Sequence, residues 1–343
     1  MTKETKRFAL TRRAFGAITA ISLMLPFAGS AYAQSTMKLA SATINDVQHE
    51  WQKEFQKEVE ARVGDALKVE LYPASQLGAI PRMSEGVLLG TIEAFTTPTS
   101  FVTNVDPRFQ AFDVPGLFLD ANEVDAVIHD EDFRDYLETL FLDKGIRIIG
   151  AIFNSPTQIL TREPVTTLEG FKGLKVRTFA SPLQMEPMAA LGVNPTPLAL
   201  SEVTPQLQAG GIDGMLAGIP ILSAFKFYDT AKHVTNIDMT QLVSVTLVNE
   251  AWFQSQSDEV RTAIIEAGRV AEKTVFPWGV ENVARAEKNW LDNGGEVHTL
   301  TEDQQGELQA TFAKVADEVI ADQPAVVEVK ERIAAKLEEV RSK

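Results

Sequence analysis

Four histidines, His49, His129, His233 and His298, stand apart along the chain, and none forms an HExxH pair, so zinc hydrolysis has little support. There is no cysteine, which removes thiolate nucleophiles, disulfide frameworks and Cys-ligated metal together. A nucleophile elbow of the GxSxG type, a Walker loop and a GxGxxG between strand and helix are all missing. Acid pairs such as Glu131-Asp132 and Glu338-Glu339 fall in charge-rich helical stretches, where a solvated face explains them. The chemistry left open is recognition rather than bond breaking. A catalytic site assembled only in the folded chain stays an alternative.

The chain that must position such a site has 343 residues, enough for about two domains. With 45% hydrophobic and 23% charged residues it is composed like a globular protein. Lys plus Arg number 32 against 47 Asp plus Glu, a net charge of -15, which argues against a nucleic-acid partner and against attraction to anionic membranes. At the N-terminus Lys3, Lys6, Arg7, Arg12 and Arg13 precede an apolar run over residues 14–29, and Ala31-Tyr32-Ala33 follows. That order predicts a secretory signal peptide over residues 1–33 and a periplasmic protein, by the Sec route or, from Arg12-Arg13, the twin-arginine route. An uncleaved anchor is the alternative. No later stretch approaches the ~20 apolar residues of a membrane span, so no direct membrane insertion is expected. Removing five basic residues and Glu4 leaves 27 basic and 46 acidic side chains, a net charge of -19.

Residues 38–43 read as a strand, followed by a helix in which Trp51, Phe55, Val59 and Val63 recur every four residues and Gly64 caps the end. Trp51 on that stripe is expected in the core. Residues 67–71 alternate as a strand, 83–89 form a helix stopped by Gly90, and 91–96 are again strand-like. This is the rhythm of a mostly parallel α/β sheet. It restarts with a helix over 124–141, strands over 146–153 and 174–178, a helix over 182–191, a helix from Ser201 to Gln208, a strand over 212–216 and a β-rich run over 241–249. From Asp258 the chain reads as helical, interrupted mainly at Gly294-Gly295 and Pro324. Two α/β lobes joined by extended strands, with a helical tail packed over both, are the simplest assembly.

Residues 72–78 (YPASQLG), 90–93 (GTIE), 171–177 (FKGLKVR) and 207–214 (LQAGGIDG), with 227–229 (FYD) and 251–253 (AWF) at matching spacing, carry a resemblance over essentially the whole mature chain. Together they resemble the DctP-like solute-binding proteins of tripartite ATP-independent periplasmic (TRAP) transporters. The resemblance implies an α/β, two-lobe periplasmic binding protein fold, type II-like, with hinge strands and a long C-terminal helical region. The expected division is a signal peptide at 1–33, lobe I from 34–154 plus 243–282, and lobe II from 155–242 plus 283–343. It further implies no catalysis, no cofactor in most members, and delivery of a small organic acid to a permease of a small and a large membrane subunit, driven by an ion gradient; no metal-ligating residue is assigned, and a metal bridging the carboxylate is left open.

Arg177 matches the arginine that ends the family's GLK(I/V)R motif, which holds the ligand carboxylate. A planar guanidinium offers paired donors that fit a carboxylate. On its residues alone Arg177 reads as a strand-end arginine in a surface ion pair; the motif makes it the ligand's partner. A family asparagine shortly after Asp213-Gly214 is replaced by Ala217, a second arginine is replaced near Pro156-Thr157, and Pro98 and Phe101 stand where sialate-type members carry a glutamate and an arginine. Each change removes polar recognition, which implies a monocarboxylate with an apolar or aromatic body. Other expected wall residues are Phe95, Thr97, Leu200, Phe225, Met239 and Trp252, with ordinary core packing as their alternative. Gln76 and His49 stand where members place first-lobe contacts. His129, among acids, is expected to be solvated. An ABC permease, a sensor kinase or a periplasmic enzyme remain the other assignments for a secreted two-lobe protein.

Overall fold

In the computed structural model, residues 35–342 are described, and the expected signal peptide at 1–33 lies outside the described residues. Met37 and Leu39 are buried while Thr36 is exposed, a period of two that starts β1 (Ser35–Ser41), whose far end, Ala40 and Ser41, is buried as well. It pairs in parallel with β2 (Leu67–Tyr72) on one side and β3 (Ala94–Pro98) on the other. Parallel neighbours need crossovers, supplied by α1 (Val47–Val63) and α2 (Ile80–Leu88). Trp51, Phe55 and Val59 lie on the buried face of α1, as their spacing predicts. The third strand sits at 94–98 rather than 91–96, because residues 91–93 are spent in the turn after Gly90.

The helix expected over 124–141 is two, α3 (Ala121–Ile128) and α4 (Glu131–Thr139). Asp130 breaks it, taking an extended conformation and accepting the amide of Phe133 as an N-cap. The second half of the fold follows: β4 (Ile146–Thr161), β5 (Lys175–Thr178), α5 (Pro182–Ala190), β6 (Asn194–Pro197), α6 (Leu200–Ala209), β7 (Gly214–Ala217), α7 (Ile219–Ala224) and β8 (His233–Asn249). Then come α8 (Glu250–Gln254), α9 (Asp258–Asp292), β9 (Glu296–Thr299), α10 (Glu302–Ile320) and α11 (Pro324–Arg341).

All the strands join one sheet in the order β2-β1-β3-β8-β4-β7-β5-β6, with β9 added to β8. The antiparallel pair β4 and β8 runs through both halves: Ile146 opposes Asn249 at one end and Thr161 opposes His233 at the other. Its register shifts between Phe153 and Ser155 and again between Pro156 and Gln158. Such bulges bend a strand and raise its twist, here at the waist between the two lobes. Four apolar clusters follow, two to each lobe, because alternate strand residues feed opposite faces of the sheet.

The tail departs from the expected division. Leu308 and Phe312 of α10 pack in the second half, but Val326, Val329, Ile333 and Leu337 of α11 share a cluster with Phe109 and Val124 of the first. The apolar stripe of α11 is thus buried on the lobe opposite to the one expected for 283–343.

Candidate functional site

A small, largely enclosed cavity opens at the waist. Its walls come from the carboxyl ends of the parallel strands: Ala42 and Thr43 follow β1, Thr96 to Pro98 end β3, Arg177 and Phe179 end β5, and Ala217 and Gly218 end β7. Ligands of open α/β sheets bind outside these ends. Gly218 is required there, since a Cβ would stand 1.8 Å from the Ser155 hydroxyl at the bulged waist.

Arg177 is 2% exposed, not the surface side chain its position alone predicts. Its Nε donates to the Leu198 carbonyl at 3.0 Å and Nη1 donates to the Leu216 carbonyl at 3.4 Å. The guanidinium carbon lies 5.3 Å from the Phe101 ring centre and 5.4 Å from that of Phe179, and the two rings meet edge to face. Among the described residues no carboxylate pairs with it. Burial pushes the guanidinium down to about 10, which leaves it charged at neutral pH. Carbonyls and ring faces orient the cation without neutralising it, so the cavity holds a fixed positive charge whose natural complement is a carboxylate.

The opposite wall is neutral and partly polar. Asp46, the N-cap of α1, accepts the His49 amide at 3.1 Å and the Gln48 side-chain amide at 3.0 Å, and Thr43 also accepts from Gln48 at 3.0 Å. With its nitrogen held twice, Gln48 keeps Oε1 buried and without a partner. Burial raises the Asp46 carboxyl above its usual range, against hydrogen bonds that lower it. Asn154 on β4 donates to Ser244 at 2.8 Å and so ties the two hinge strands beside the cavity.

Of the expected site residues, Arg177, Thr97, Pro98, Phe101, Leu200 and Ala217 line this cavity. The others lie elsewhere. Phe95 sits deeper in β3, fully buried in the first-lobe core, because only the strand's end reaches the cavity. Met239 is core of the second lobe, and Leu242, three residues on, takes its place in the lining. Trp252 follows the end of β8, which opposes the start of β3 at Ala94, and therefore lies at the wrong end of the sheet. Phe225, at the end of α7, is 37% exposed and stacks on Phe227. Gln76 is exposed in the turn after the edge strand β2. His49 accepts the Asn45 amide at 3.3 Å on the far side of the helix start, and burial lowers its pKa; its neighbour Gln48 is the residue that faces in. A one-residue step turns a helix by about 100°, enough to exchange them.

Matched against known proteins, residues 40–323 fit the family model of the bacterial extracellular solute-binding proteins, family 7, the DctP family. This chain belongs to that family. The 2,3-diketo-L-gulonate-binding periplasmic protein YiaO of Escherichia coli is 28% identical over 261 residues, covering 74% of this chain and 79% of that protein. The C4-dicarboxylate-binding periplasmic protein DctP of Rhodobacter capsulatus is 27% identical over 326 residues, 90% and 94% of the two chains. In fold, the DctP-family chain superposes on a TRAP periplasmic solute-binding protein from Anaerococcus prevotii with bound α/β D-glucuronate, at TM-score 0.83 and 20% identity over 89% of this chain and 99% of the other. It is thus a TRAP-type solute-binding protein with the two-lobe fold, in a family of binding proteins rather than enzymes. Among the described residues no helix is long and apolar enough to cross a membrane.

Proposed function

We propose that this solute-binding protein, exported to the periplasm by a signal peptide at residues 1–33, captures an organic monocarboxylate with an apolar or aromatic body. It would hand that acid to a TRAP permease of one small and one large membrane subunit for uptake driven by an ion gradient. The observation that carries the reading is Arg177, a buried cation with no carboxylate partner among the described residues, in a cavity whose apolar walls include Ile80, Phe101, Phe179, Leu200, Ile221 and Leu242 and whose other polar side chains, Gln48, Asn154 and three threonines, are uncharged. The relatives named above take a diketo sugar acid and a C4-dicarboxylate. A second carboxylate or a ring of hydroxyls would find few partners on these walls, each costing about 1–3 kcal/mol if left unpaired. The free Oε1 of Gln48 admits one donor, so the favoured acid carries a single hydroxyl or amide N–H besides its carboxylate.

Binding works through the waist. Lobes I and II share β4 and β8, and an acid touching Arg177 and Phe179 on one side and Gln48 and Thr97 on the other binds the closed arrangement better than the open one. Only that differential affinity shifts the population. The closed form is then the one the permease meets.

A thermal-shift panel of aromatic, branched-chain, hydroxy, dicarboxylic and sugar acids, on protein stripped of bound ligand by unfolding and refolding, tests this. A true ligand at about a thousand times its dissociation constant adds ~4 kcal/mol, a rise of several degrees. Responses confined to apolar monocarboxylates support the reading. Responses confined to sugar acids or dicarboxylates overturn the ligand class while leaving the family intact.

A further inference from the structure

At the outer end of the β4–β8 pair, where His233 opposes Thr161, the start of β8 and the short strand β9 lie side by side in parallel, with His233 opposite Glu296 and Thr235 opposite His298. Alternation along β9 puts Glu296 and His298 on one face, next to His233. The result is a three-donor cluster. His233 Nδ1 stands 3.2 Å from His298 Nε2. Glu296 Oε2 stands 3.5 Å from the first nitrogen and 3.6 Å from the second.

The 3.2 Å nitrogen pair also fits a hydrogen bond between the rings, and it is the two carboxylate distances that discriminate between two uses of the same residues. A carboxylate hydrogen-bonded to an imidazole sits at about 2.7–3.2 Å, so Glu296 is too far from both rings to be bonded well to either. A tetrahedral zinc ion with Zn–N and Zn–O bonds of about 2.0–2.2 Å places its ligand atoms roughly 3.3–3.6 Å apart. All three separations fall at or near that range, and the carboxylate oxygen is almost equidistant from the two nitrogens. The ring centres lie 5.4 Å apart with planes at 27°, nearly head-on across the 3.2 Å nitrogen pair, so an ion enters by displacing the hydrogen bond between the two rings. Both imidazoles are mostly buried, with 17% and 16% of their side chains exposed, whereas Glu296 is 60% exposed and leaves the fourth direction to water.

The backbone is fixed where it enters the cluster. Gly295 packs so closely on the Trp290 indole that a Cβ would stand 2.2 Å from Nε1, and that nitrogen donates to the Glu296 carbonyl at 3.3 Å. The Glu296 amide in turn donates to the Lys232 carbonyl at 2.7 Å. Two imidazoles and a carboxylate suit zinc and its first-row neighbours, and not calcium or magnesium, which take oxygen.

We propose that His233, Glu296 and His298 form a surface site for a divalent zinc-class ion, separate from the solute cavity, that fastens β9 and the helical tail to β8. The ion is held by three protein atoms and one or more waters. The site is independent of which acid the cavity takes.

Isothermal titration of zinc chloride into the purified chain, stripped with chelator and carrying no polyhistidine tag, tests it. One saturable equivalent is expected at micromolar concentration, together with a rise in melting temperature that chelator reverses. Glu296→Gln, an exposed and nearly isosteric change, should weaken binding at least tenfold, and His298→Ala should abolish both the saturable heat and the rise. Circular dichroism confirms that each variant is folded, and Glu296→Gln carries the test alone if His298→Ala is not. Absence of saturable binding, or equal binding by the wild-type protein and the folded variants, overturns the proposal.

Discussion

Two arginines are each 2% exposed, one in each lobe, and they are buried on opposite terms. Arg134 on α4 donates from Nη2 and Nε to the two oxygens of Glu272 on α9, at 3.0 and 3.3 Å. Glu272 also accepts the Ala151 amide of β4 at 2.6 Å, so three elements of the first lobe meet on one ion pair. His129 joins it, its ring 2.7 Å from Asp125 and 3.6 Å from Glu272, and is mostly buried rather than solvated as expected from its acidic neighbours. Arg177 has carbonyls and rings around it and, among the described residues, no carboxylate. Burial by itself therefore does not mark a functional cation. The missing counter-charge does, because a desolvated charge left uncompensated costs several kcal/mol that only an arriving anion recovers.

The sharpest way to break this contrast is to replace each arginine by methionine. Arg134→Met strands Glu272 in the first-lobe core and should cost about 3–5 kcal/mol of unfolding free energy in urea. Arg177→Met removes an unpaired charge and should leave the ligand-free protein as stable or more stable, while affinity for the acid falls by about two to three decades. Equal destabilisation by both changes would place Arg177 with the structural pairs. Retention of affinity by a folded Arg177→Met would take the carboxylate away from it.

Asp113 extends the comparison to the opposite sign. It is a buried carboxylate without a cation, where Ser100 donates to it at 2.5 Å and Gln184 of α5 donates at 3.4 Å, so both lobes touch it. Burial pushes its pKa up to about 6, against the lowering effect of the neighbouring Ser100 and Gln184 donors. Since the folded value exceeds the unfolded one near 3.8, the native state binds the extra proton between these values. The group's contribution to stability is then fully present below about pH 4 and lost as pH rises through about 6, a swing of roughly 3 kcal/mol. Asp113→Asn should flatten the stability profile across that window in urea titrations at stepped pH. An unchanged slope would mean that another group governs it.

These cases also show what could be read from the sequence. The apolar periodicity of α1 and the strand-turn rhythm were legible because they are local, and Arg177 was legible because its motif carries the family's mark. Neighbours along a chain do not report which way a helix is turned, so His49 was expected where Gln48 stands. Nor do they report which end of a strand faces the cavity, which is why Trp252 and Phe95, expected on its walls, lie outside its lining. Phe179, two residues beyond Arg177 and against its guanidinium, could have been found by the alternation of β5 itself. The meeting of His233 with His298 depends on a parallel pairing across 65 residues, and no spacing rule anticipates it.

Gln48 supplies the finest cut at the site. Its Oε1 has no partner while its nitrogen is held by Asp46 and Thr43, and reversing the amide would set oxygen against the Asp46 carboxylate. The orientation is therefore fixed by its neighbours, and the acceptor is presented to whatever enters the cavity. A ligand donor that meets it gains a buried hydrogen bond and relieves an unsatisfied oxygen, together about 1–1.5 kcal/mol or roughly tenfold in affinity. For a matched pair of acids differing only by that hydroxyl or amide, calorimetry should show the tenfold preference in the wild-type protein and its loss in Gln48→Leu. Measuring the ratio, rather than either affinity alone, cancels any slackening of the α1 cap that the substitution causes. A preference that survives the change would move the donor's partner to Asn154 or to Thr43, Thr96 or Thr97, the other uncharged polar groups on the walls, and leave the cation of Arg177 as the common anchor of both acids.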